Sequence, residues 1–401
     1  MKSKMLLVLV VLALVASTAV FGACEAAPAE KEPIKIGGLF EMTGFLLALG
    51  TESYQAVTVA LEEVDYQVAG RRIELIAEDT ASDVAMAMDK LRKLVETDKV
   101  DVTFGTIFTG SAYAIIPYVD KMGVPNVNVT AHPEDAVLSG DWDWQTVGTG
   151  PQMTYAMGVY AYEELGYRTA TTIATDYEAG YAYMSGFTQG FTDSGGKIIE
   201  QQWYPFGTAD FSPYIIKAGD ADVLATWMVG DALLPSLTQF KELGVWGKMP
   251  IVKASDAGLL DPRILQEVGD AAEGIVTECH YTHVLDTPGN AEFVAAYEQR
   301  WGILPGAYAG SSYATMQILL DAMERAGGDV SPEALAKALD ETDVDTVRGR
   351  TFFNEVRLGQ STAHIVRIDR EGGVNIPRVV AQYDVRSEMV GDKLEFSSSR
   401  K

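Results

Sequence analysis

Short β-rich runs alternate with amphipathic segments over most of this 401-residue chain, and the alternation is the feature that most constrains its fold. In residues 53–64, for example, Ala56, Val57, Ala60 and Leu61 recur at the spacing of one helix face. Strands that alternate with helices of about 10–15 residues build βαβ units with parallel strands. Because such crossovers are right-handed, helices cover both faces of each sheet. The sequence therefore predicts an α/β fold.

The predicted elements fall into two series on either side of residues 142–150, which indicates two sheets. We predict strands at residues 34–40, 72–77, 100–105, 124–129, 169–175, 197–203, 222–228, 250–254 and 274–279. We predict helices at residues 53–64, 85–96, 155–165, 181–192 and 233–243. After residue 280 the pattern changes to helices at 291–301, 309–326 and from Ser331 onward, followed by strands at 351–357, 363–368 and 377–383.

The charge balance limits the classes of partner. The chain has 31 basic and 56 acidic residues, a net charge of −25 at pH 7, and 47% of its residues are apolar. A chain this apolar buries enough surface to fold, so it is not intrinsically disordered. A nucleic-acid-binding protein needs basic residues to displace phosphate counterions. We therefore expect no nucleic-acid partner.

The first residues have the pattern of an export signal. Lys2 and Lys4 precede an apolar run from Met5 to Phe21, and small residues lead to Cys24. We predict a signal peptide at residues 1–23, a lipoprotein linker at 24–33, lipidation of Cys24 and an extracytoplasmic location. Ordinary cleavage nearby, giving a free protein, is the alternative. Acylation also explains Cys24 more simply than a disulfide with Cys279, because the linker gives Cys24 no fixed geometry.

Several catalytic and cofactor motifs are absent from the sequence. It contains no P-loop, no G-x-S-x-G, no H-E-x-x-H, and no G-x-G-x-x-G after the first strand. His280 and His283 follow Cys279 closely, but residues three apart in a strand face opposite sides of the sheet. We expect surface or hinge histidines there, and no metal and no cofactor.

Loops that combine glycine with hydroxyl residues follow three strands of the first series. They span residues 41–44, 105–111 and 130–133, and each ends just before a helix. Ligands of open α/β sheets bind at the carboxyl ends of the strands. Hydroxyls and free N–H groups at a helix start suit a carboxylate or another small anion. The alternative is that these residues are only helix N-caps.

These residues resemble the type I periplasmic solute-binding family, in particular the branch of the leucine/isoleucine/valine-binding protein. The resemblance runs over most of residues 33–385 and is carried by Ile34–Phe40 with Thr43-Gly44, by residues 71–83 and 99–105, and by 308–327. It implies two Rossmann-like lobes with parallel-type sheets and a ligand trapped between them. Three crossover strands are then expected near residues 148–152, 279–284 and 345–352.

The resemblance also implies lobe boundaries and a function. Lobe one is expected at residues 33–149 plus 284–347, and lobe two at 150–281 plus 350–390. The expected function is the extracytoplasmic substrate-binding component of an ABC importer, which is not an enzyme. A monomer is expected to bind a small amino acid or a related carboxylate or amide by hinge closure and to deliver it to a membrane permease. The alternatives are a ligand-sensing module for a signalling receptor and an extracytoplasmic enzyme on a similar fold.

Binding residues are implied position by position. In lobe one, the resemblance places the ligand carboxylate at Thr109, Gly110 and Ser111. The same lobe contributes further positions from the loops that follow the first and the fourth predicted strands: Thr43, Thr130, Ala131 and His132.

In lobe two, Ala179 stands where the family usually has a tyrosine, so Tyr177 or Tyr181 is expected to substitute. Asp256 is expected to neutralise an α-ammonium group, with a helix N-cap as the alternative. A further loop contributes Trp227, Gly230 and Asp231. Because Ala179 and His132 depart from the family pattern, an aromatic acid, an amide or another small carboxylate remains open as the ligand.

Overall fold

Two β-sheets organise the part of the chain that the structure describes. In the computed structural model, which describes residues 31–245, 248–391 and 393–401, one sheet has six strands and the other has ten. Residues Ile34–Lys401 form one compact unit. The α/β prediction is confirmed.

The first sheet is built from the chain before residue 146. Its strands are β1 Ile34–Phe40, β2 Gln67–Val68, β3 Arg71–Asp79, β4 Val102–Phe104, β5 Asn126–Asn128 and β6 Asp143–Gln145. Their spatial order is β2-β3-β1-β4-β5-β6, and every pair is parallel except β2 with β3. The helices between them are α1 Leu47–Glu63, α2 Val84–Arg92 with a π-helical continuation at Lys93–Asp98, α3 Thr109–Met122 and α4 Glu134–Val137.

The second sheet begins with five parallel strands. These are β7 Thr169–Thr175, β8 Lys197–Tyr204, β9 Val223–Trp227, β10 Ile251–Lys253 and β11 Val276–Cys279. The helices of this part are α5 Gly150–Glu163, α6 Glu178–Asp193, α7 Ser212–Lys217, α8 Leu233–Glu242 and α9 Pro262–Val268. Two 3-10 turns lie at Gly230–Ala232 and Gly269–Ala272.

The chain then adds three helices and a set of antiparallel strands. The helices are α10 Asn290–Trp301, α11 Ala307–Arg325 and α12 Pro332–Asp340. The strands are β12 Asp343–Thr346, β13 Gly349–Phe353, β14 Gly359–Glu371, β15 Val374–Val390 and β16 Lys393–Arg400. β14 pairs antiparallel with β11, so the second sheet is mixed and not wholly parallel.

Helix α11 returns to the first sheet, although it lies late in the sequence. Ser312 Oγ donates to Ser53 Oγ on α1 at 2.7 Å, and Ser311 Oγ donates to the carbonyl oxygen of Val129 after β5 at 2.6 Å. These contacts place the start of α11 beside α1 and the loop that follows β5. The lobe boundaries expected from the sequence stay a prediction.

Some elements differ from the sequence-based prediction. Strands β1 and β7 have the predicted bounds, but α1 begins at Leu47 and not at residue 53. Its first turns contain buried Leu49 and Gly50. The polar residues that follow them interrupt the apolar pattern by which a helix is recognised in the sequence. Strand β15 has 17 residues against the predicted 377–383, because it pairs with neighbours on both sides.

The amino-terminal predictions concern residues outside the described part of the chain. Residues 1–30, which include the predicted signal peptide, most of the linker and Cys24, lie outside the described residues. Within the described part, no helix is both long and apolar enough to cross a bilayer. Cys279 is buried there and carries a free thiol.

Helices α5 and α6 cross at glycines on both partners. A Cβ at Gly158 would overlap the carbonyl oxygen of Phe187, and one at Gly190 would overlap the carbonyl oxygen of Tyr155. Backbone therefore packs directly against backbone where these helices cross. This close approach fixes α6, and with it the residues at its amino-terminal end.

Replacing Gly190 by alanine should lower the free energy of unfolding by about 1–3 kcal/mol, the usual cost of overpacking a core. Helix propensity alone would favour alanine by about 1 kcal/mol, so the sign of the effect identifies the steric contact. Urea denaturation measures it. Gln189→Ala, on the exposed face of the same helix, is the control and should stay within about 0.5 kcal/mol of wild type. A stabilised Gly190→Ala protein would contradict the packing.

Candidate ligand-binding site

A small cavity lies where the carboxyl ends of the strands of both sheets meet, and we call the space between these ends the cleft. Its volume is about 20 Å³, room for about one water molecule. From the first sheet and the helices packed on it, the cavity is lined by Leu46, Leu49, Ile107, Thr109, Thr130, Ala131 and Tyr308. From the second sheet and its helices, it is lined by Tyr177, Ala179, Tyr183, Trp227 and Val229.

Aromatic rings form the wall that the second sheet contributes. Tyr183 stacks on Trp227 with ring centroids 4.9 Å apart and an interplanar angle of 21°, and Tyr177 lies 5.8 Å from Trp227. Burial raises the pKa of Tyr177, Tyr183 and Tyr308, so these phenols stay neutral. Trp227 Nε1 is buried without a hydrogen-bond partner. The wall therefore offers flat apolar surface and one free donor.

The two sides of the cleft touch each other directly. The Tyr183 hydroxyl donates to the carbonyl oxygen of Ala131 at 2.9 Å, which joins α6 to the loop after β5. On another side, a Cβ at Gly230 would lie 2.7 Å from the carbonyl oxygen of Phe45, so only glycine permits this approach. The cleft is closed in this arrangement.

The loop after β4 is held in place by a buried glutamate. Glu41 Oε1 accepts hydrogen bonds from the Ile107 and Phe108 amides at 3.1 and 3.0 Å, and from the Thr106 hydroxyl. Burial raises the pKa of Glu41, against these hydrogen bonds. Ile107 and Thr109 line the cavity, so the hydrogen bonds of Glu41 to this loop help to position two lining residues. The sequence had indicated only the loop and not this role.

Helix α3 begins at the cavity. Thr109 is its first residue, and the first N–H groups of a helix have no partner within the helix. These groups and the helix dipole favour an anion at this end. Gly110 packs against the Phe108 ring, and the Ser111 hydroxyl is buried without a partner.

His132 is a buried neutral side chain beside Thr109. Burial lowers its pKa to about 4. Its Nε2 lies 3.1 Å from Asn128 Oδ1, an oxygen that also accepts from the Val129 amide, so Nε2 carries the proton. Nδ1 then accepts from the Thr109 hydroxyl at 3.3 Å. The lone pairs of Thr109 Oγ1 remain free for a ligand donor.

Two buried carboxyl groups and a buried lysine lie behind the aromatic wall. Asp256 Oδ2 accepts from the Gly258 amide at 3.1 Å, which is a turn contact, while its Oδ1 has no partner. Burial raises the pKa of Asp256 to about 6 and that of Glu278 well above its ordinary value, and it lowers the pKa of Lys253 to about 8. Asp256 does not line the cavity, but its charge raises the pKa of Tyr183.

The structure separates the predicted binding residues into three groups. One group neither lines the cavity nor has an exposed side chain: Gly110, Ser111, His132, Gly230 and Asp256. Three others lie away from the cavity with exposed side chains. Thr43 donates to Asp79 Oδ2 at 2.7 Å, Tyr181 is 45% exposed and donates to Asp176, and Asp231 is exposed. The predicted residues that line the cavity are Thr109, Thr130, Ala131, Tyr177 and Trp227.

Several lining residues were not predicted from the sequence. Tyr183 lies four residues after Ala179 on α6, on the same helix face, so the helical period contains a signal for it. Tyr308 begins the late helix motif that carries the resemblance, but nothing in the sequence assigned it to the site. The remaining unpredicted lining residues are apolar: Leu46, Leu49, Ile107 and Val229.

The histidines after β11 are part of the interior. His280 is buried and not on the surface, and its ring contacts Tyr308 edge to face with centroids 5.8 Å apart. Burial lowers its pKa to about 3. Among the described residues, no group of three or more histidine, cysteine or acidic side chains is placed to hold a metal ion.

Comparison with known proteins assigns this architecture to a family. Among solved structures, an ABC transporter substrate-binding protein from Sphaerobacter thermophilus is 30% identical, with a TM-score of 0.82, covering 88% of this chain and 98% of that one. A solute-binding protein of an ABC transporter from Rhodopseudomonas palustris BisB5, in complex with 3,4-dihydroxybenzoic acid, is 25% identical, with a TM-score of 0.81 and the same coverage.

Sequence comparison agrees with the structural likeness. Leu/Ile/Val-binding protein homolog 7 of Brucella abortus (strain 2308) is 27% identical over 348 residues, which are 80% of this chain and 84% of that protein. A family model described as periplasmic binding protein matches residues 33–373. The chain therefore belongs to the periplasmic binding protein family, whose members bind solutes and are not enzymes.

Proposed function

We propose that this chain is the extracytoplasmic substrate-binding component of an ABC importer. One observation carries the proposal: the cavity has walls from both sheets, which touch each other beside it and leave a volume of only about 20 Å³. A solute reaches such a cavity only when the two sides of the cleft move apart. Binding then favours closure, because contacts with both sides exist only in the closed state.

The first candidate ligand is a small amino acid or a related carboxylate or amide. The amino-terminal end of α3 suits the carboxylate group. Asp256, with its free Oδ1, supplies the charge that attracts an α-ammonium group. Leu46, Leu49 and Ile107 provide an apolar surface for a side chain.

The second candidate ligand is an aromatic carboxylate, which the aromatic wall favours. Tyr177, Tyr183 and Trp227 present ring faces at the cavity, and aromatic rings pair well with one another in stacked or edge-to-face geometry. The Rhodopseudomonas palustris relative was solved with 3,4-dihydroxybenzoic acid. A ligand of this class has no ammonium group and needs no charge from Asp256.

The chain acts outside the cytoplasm, and its partners are a small-molecule ligand and a membrane permease. We further propose that the signal peptide at residues 1–23 is removed and that Cys24 carries the lipid anchor. The anchored monomer then delivers its closed form to the permease. ATP hydrolysis belongs to other subunits of the importer, in agreement with the absence of a P-loop from this sequence.

Thermal unfolding with a panel of leucine, isoleucine, valine, benzoate, 4-hydroxybenzoate and aliphatic amides tests the proposed function. A compound at 100 times its dissociation constant should stabilise the protein by about 2.7 kcal/mol. With Asp256→Asn, an α-amino acid should lose most of this stabilisation, whereas an aromatic acid should keep it. A panel without any stabilising compound would contradict the proposal for these ligand classes.

Replacing Trp227 by phenylalanine should weaken binding of the best panel compound about tenfold, because it removes a buried donor worth about 1.4 kcal/mol while keeping an aromatic ring. Isothermal titration calorimetry measures the change in Kd. Trp203→Phe is the matched control, since Trp203 packs on exposed Tyr181 away from the cavity. Equal effects of the two substitutions would show that the Trp227 N–H does not contact the ligand.

A further inference from the structure

The amino-terminal half of α1 and the segment just before it form the face that meets the second sheet. Phe45 lies against Gly230, as described above. One helix turn further along, a Cβ at Gly258 would lie 3.0 Å from Leu49 Cδ2. One turn beyond that, the carboxyl group of Glu52 is hydrogen-bonded to the carboxylate of Asp261. This row of contacts borders the cavity, because Leu49 also lines it.

Glu52 is buried, with 2% of its surface exposed. Its Oε2 accepts a hydrogen bond from the Ala309 amide, in the first turn of α11, at 3.3 Å. The titratable groups that face it come from three other elements. They are Asp261 and Arg263 at the start of α9, Tyr281 after β11, and Tyr297 on α10.

Asp261 is fixed in its own half of the molecule. It caps α9 by accepting from the amides of Arg263 at 2.7 Å and Ile264 at 3.3 Å. Its Oδ2 also accepts from Arg263 Nη2 at 2.6 Å. Although burial raises the pKa of Asp261, the Arg263 guanidinium and the Glu52 carboxyl hold it below its ordinary value. Asp261 is therefore the ionised partner of the pair.

A hydrogen bond between two carboxyl groups needs one proton, and here Glu52 holds it. Burial raises the pKa of Glu52 well above its ordinary value, and the charge of Asp261 raises it further. Arg263 and the Ala309 amide lower it by less. Without the proton, two buried carboxylates would face each other across the cleft with only one guanidinium between them.

We propose that Glu52 is a positioning residue for ligand capture: its protonated carboxyl binds Asp261 across the cleft and holds α1 in the closed position. The inference rests on the proposed function in one respect: that the cleft closes when the ligand binds. Glu52 does not line the cavity, so it acts through the position of α1 and not through contact with the ligand.

The sign of the pH dependence follows from proton linkage. When the cleft opens, Glu52 loses its contact with Asp261, and its pKa falls toward the ordinary value of about 4.3. The closed form binds the proton more tightly, so closure is favoured fully below that value and loses this advantage as pH rises through the higher pKa of the closed form. Within this window the closing equilibrium constant falls by up to tenfold per pH unit, since one proton is taken up.

Small-angle X-ray scattering of the mature chain without ligand, between about pH 5 and pH 8, tests the proposal independently of any ligand. The radius of gyration of the wild type should increase as pH rises. Glu52→Gln keeps a donor for Asp261 but does not titrate, so its radius should stay at the compact value. Asp261→Asn lets an ionised Glu52 accept from an amide, and it should weaken the pH dependence without removing it, because burial still raises the pKa of Glu52. Circular dichroism verifies that each variant is folded.

Glu62→Gln is the matched control, because Glu62 is exposed at the other end of α1 and pairs with Arg300. It should keep the wild-type pH dependence. A wild type whose radius does not change with pH would overturn the proposal, and so would a Glu52→Gln protein with the wild-type response. The second result would assign the titration to other buried carboxyl groups, such as Asp256 and Glu278. Neither result would affect the ligand panel, so the two proposals fail separately.

Discussion

Contact between the carboxyl ends of the two sheets is the constraint on which the site depends. The hydrogen bond from Tyr183 to the carbonyl oxygen of Ala131 closes a cavity with room for about one water molecule. Inside such a space every polar atom needs a partner, because an unpaired buried group costs about 1–3 kcal/mol. Trp227 lines the cavity, and its free Nε1 is therefore an atom that a ligand can satisfy.

The two sides of the cleft favour ligand groups of opposite charge. On one side, the amino-terminal end of α3 favours a negative group. On the other side, Asp256 and Glu278 lie behind the aromatic wall. Lys253 lies close enough to Asp256 to lower its pKa, against the larger effect of burial. A ligand with a carboxylate at one end and an ammonium or a ring at the other matches this polarity. The two ligand classes then differ in whether an ammonium group interacts with the charge of Asp256.

The α/β fold was predictable because its signals are periodic and local. Strand β1 and the hydroxyl loop that starts α3 could be located from the sequence alone, and Thr109 of this loop lines the cavity. The start of α1 was not predictable, because its first turns mix exposed Leu47 with buried Leu49, Gly50 and Glu52 and so lack a regular apolar face. The sequence offered Tyr177 or Tyr181, and Tyr177 lines the cavity together with the unpredicted Tyr183, whereas Tyr181 does not. Only the packing of α6 decides which of its faces turns inward. Contacts made by distant segments have no signature in a single sequence.

The central claim is that a ligand binds between the two sheets, in contact with both. A crystal structure of the mature chain with the panel compound that raises its melting temperature most tests it directly. We predict electron density for the compound between Thr109 at the start of α3 and the rings of Tyr183 and Trp227. Density at another surface, or contacts with residues from one sheet only while the cleft stays empty, would contradict the account.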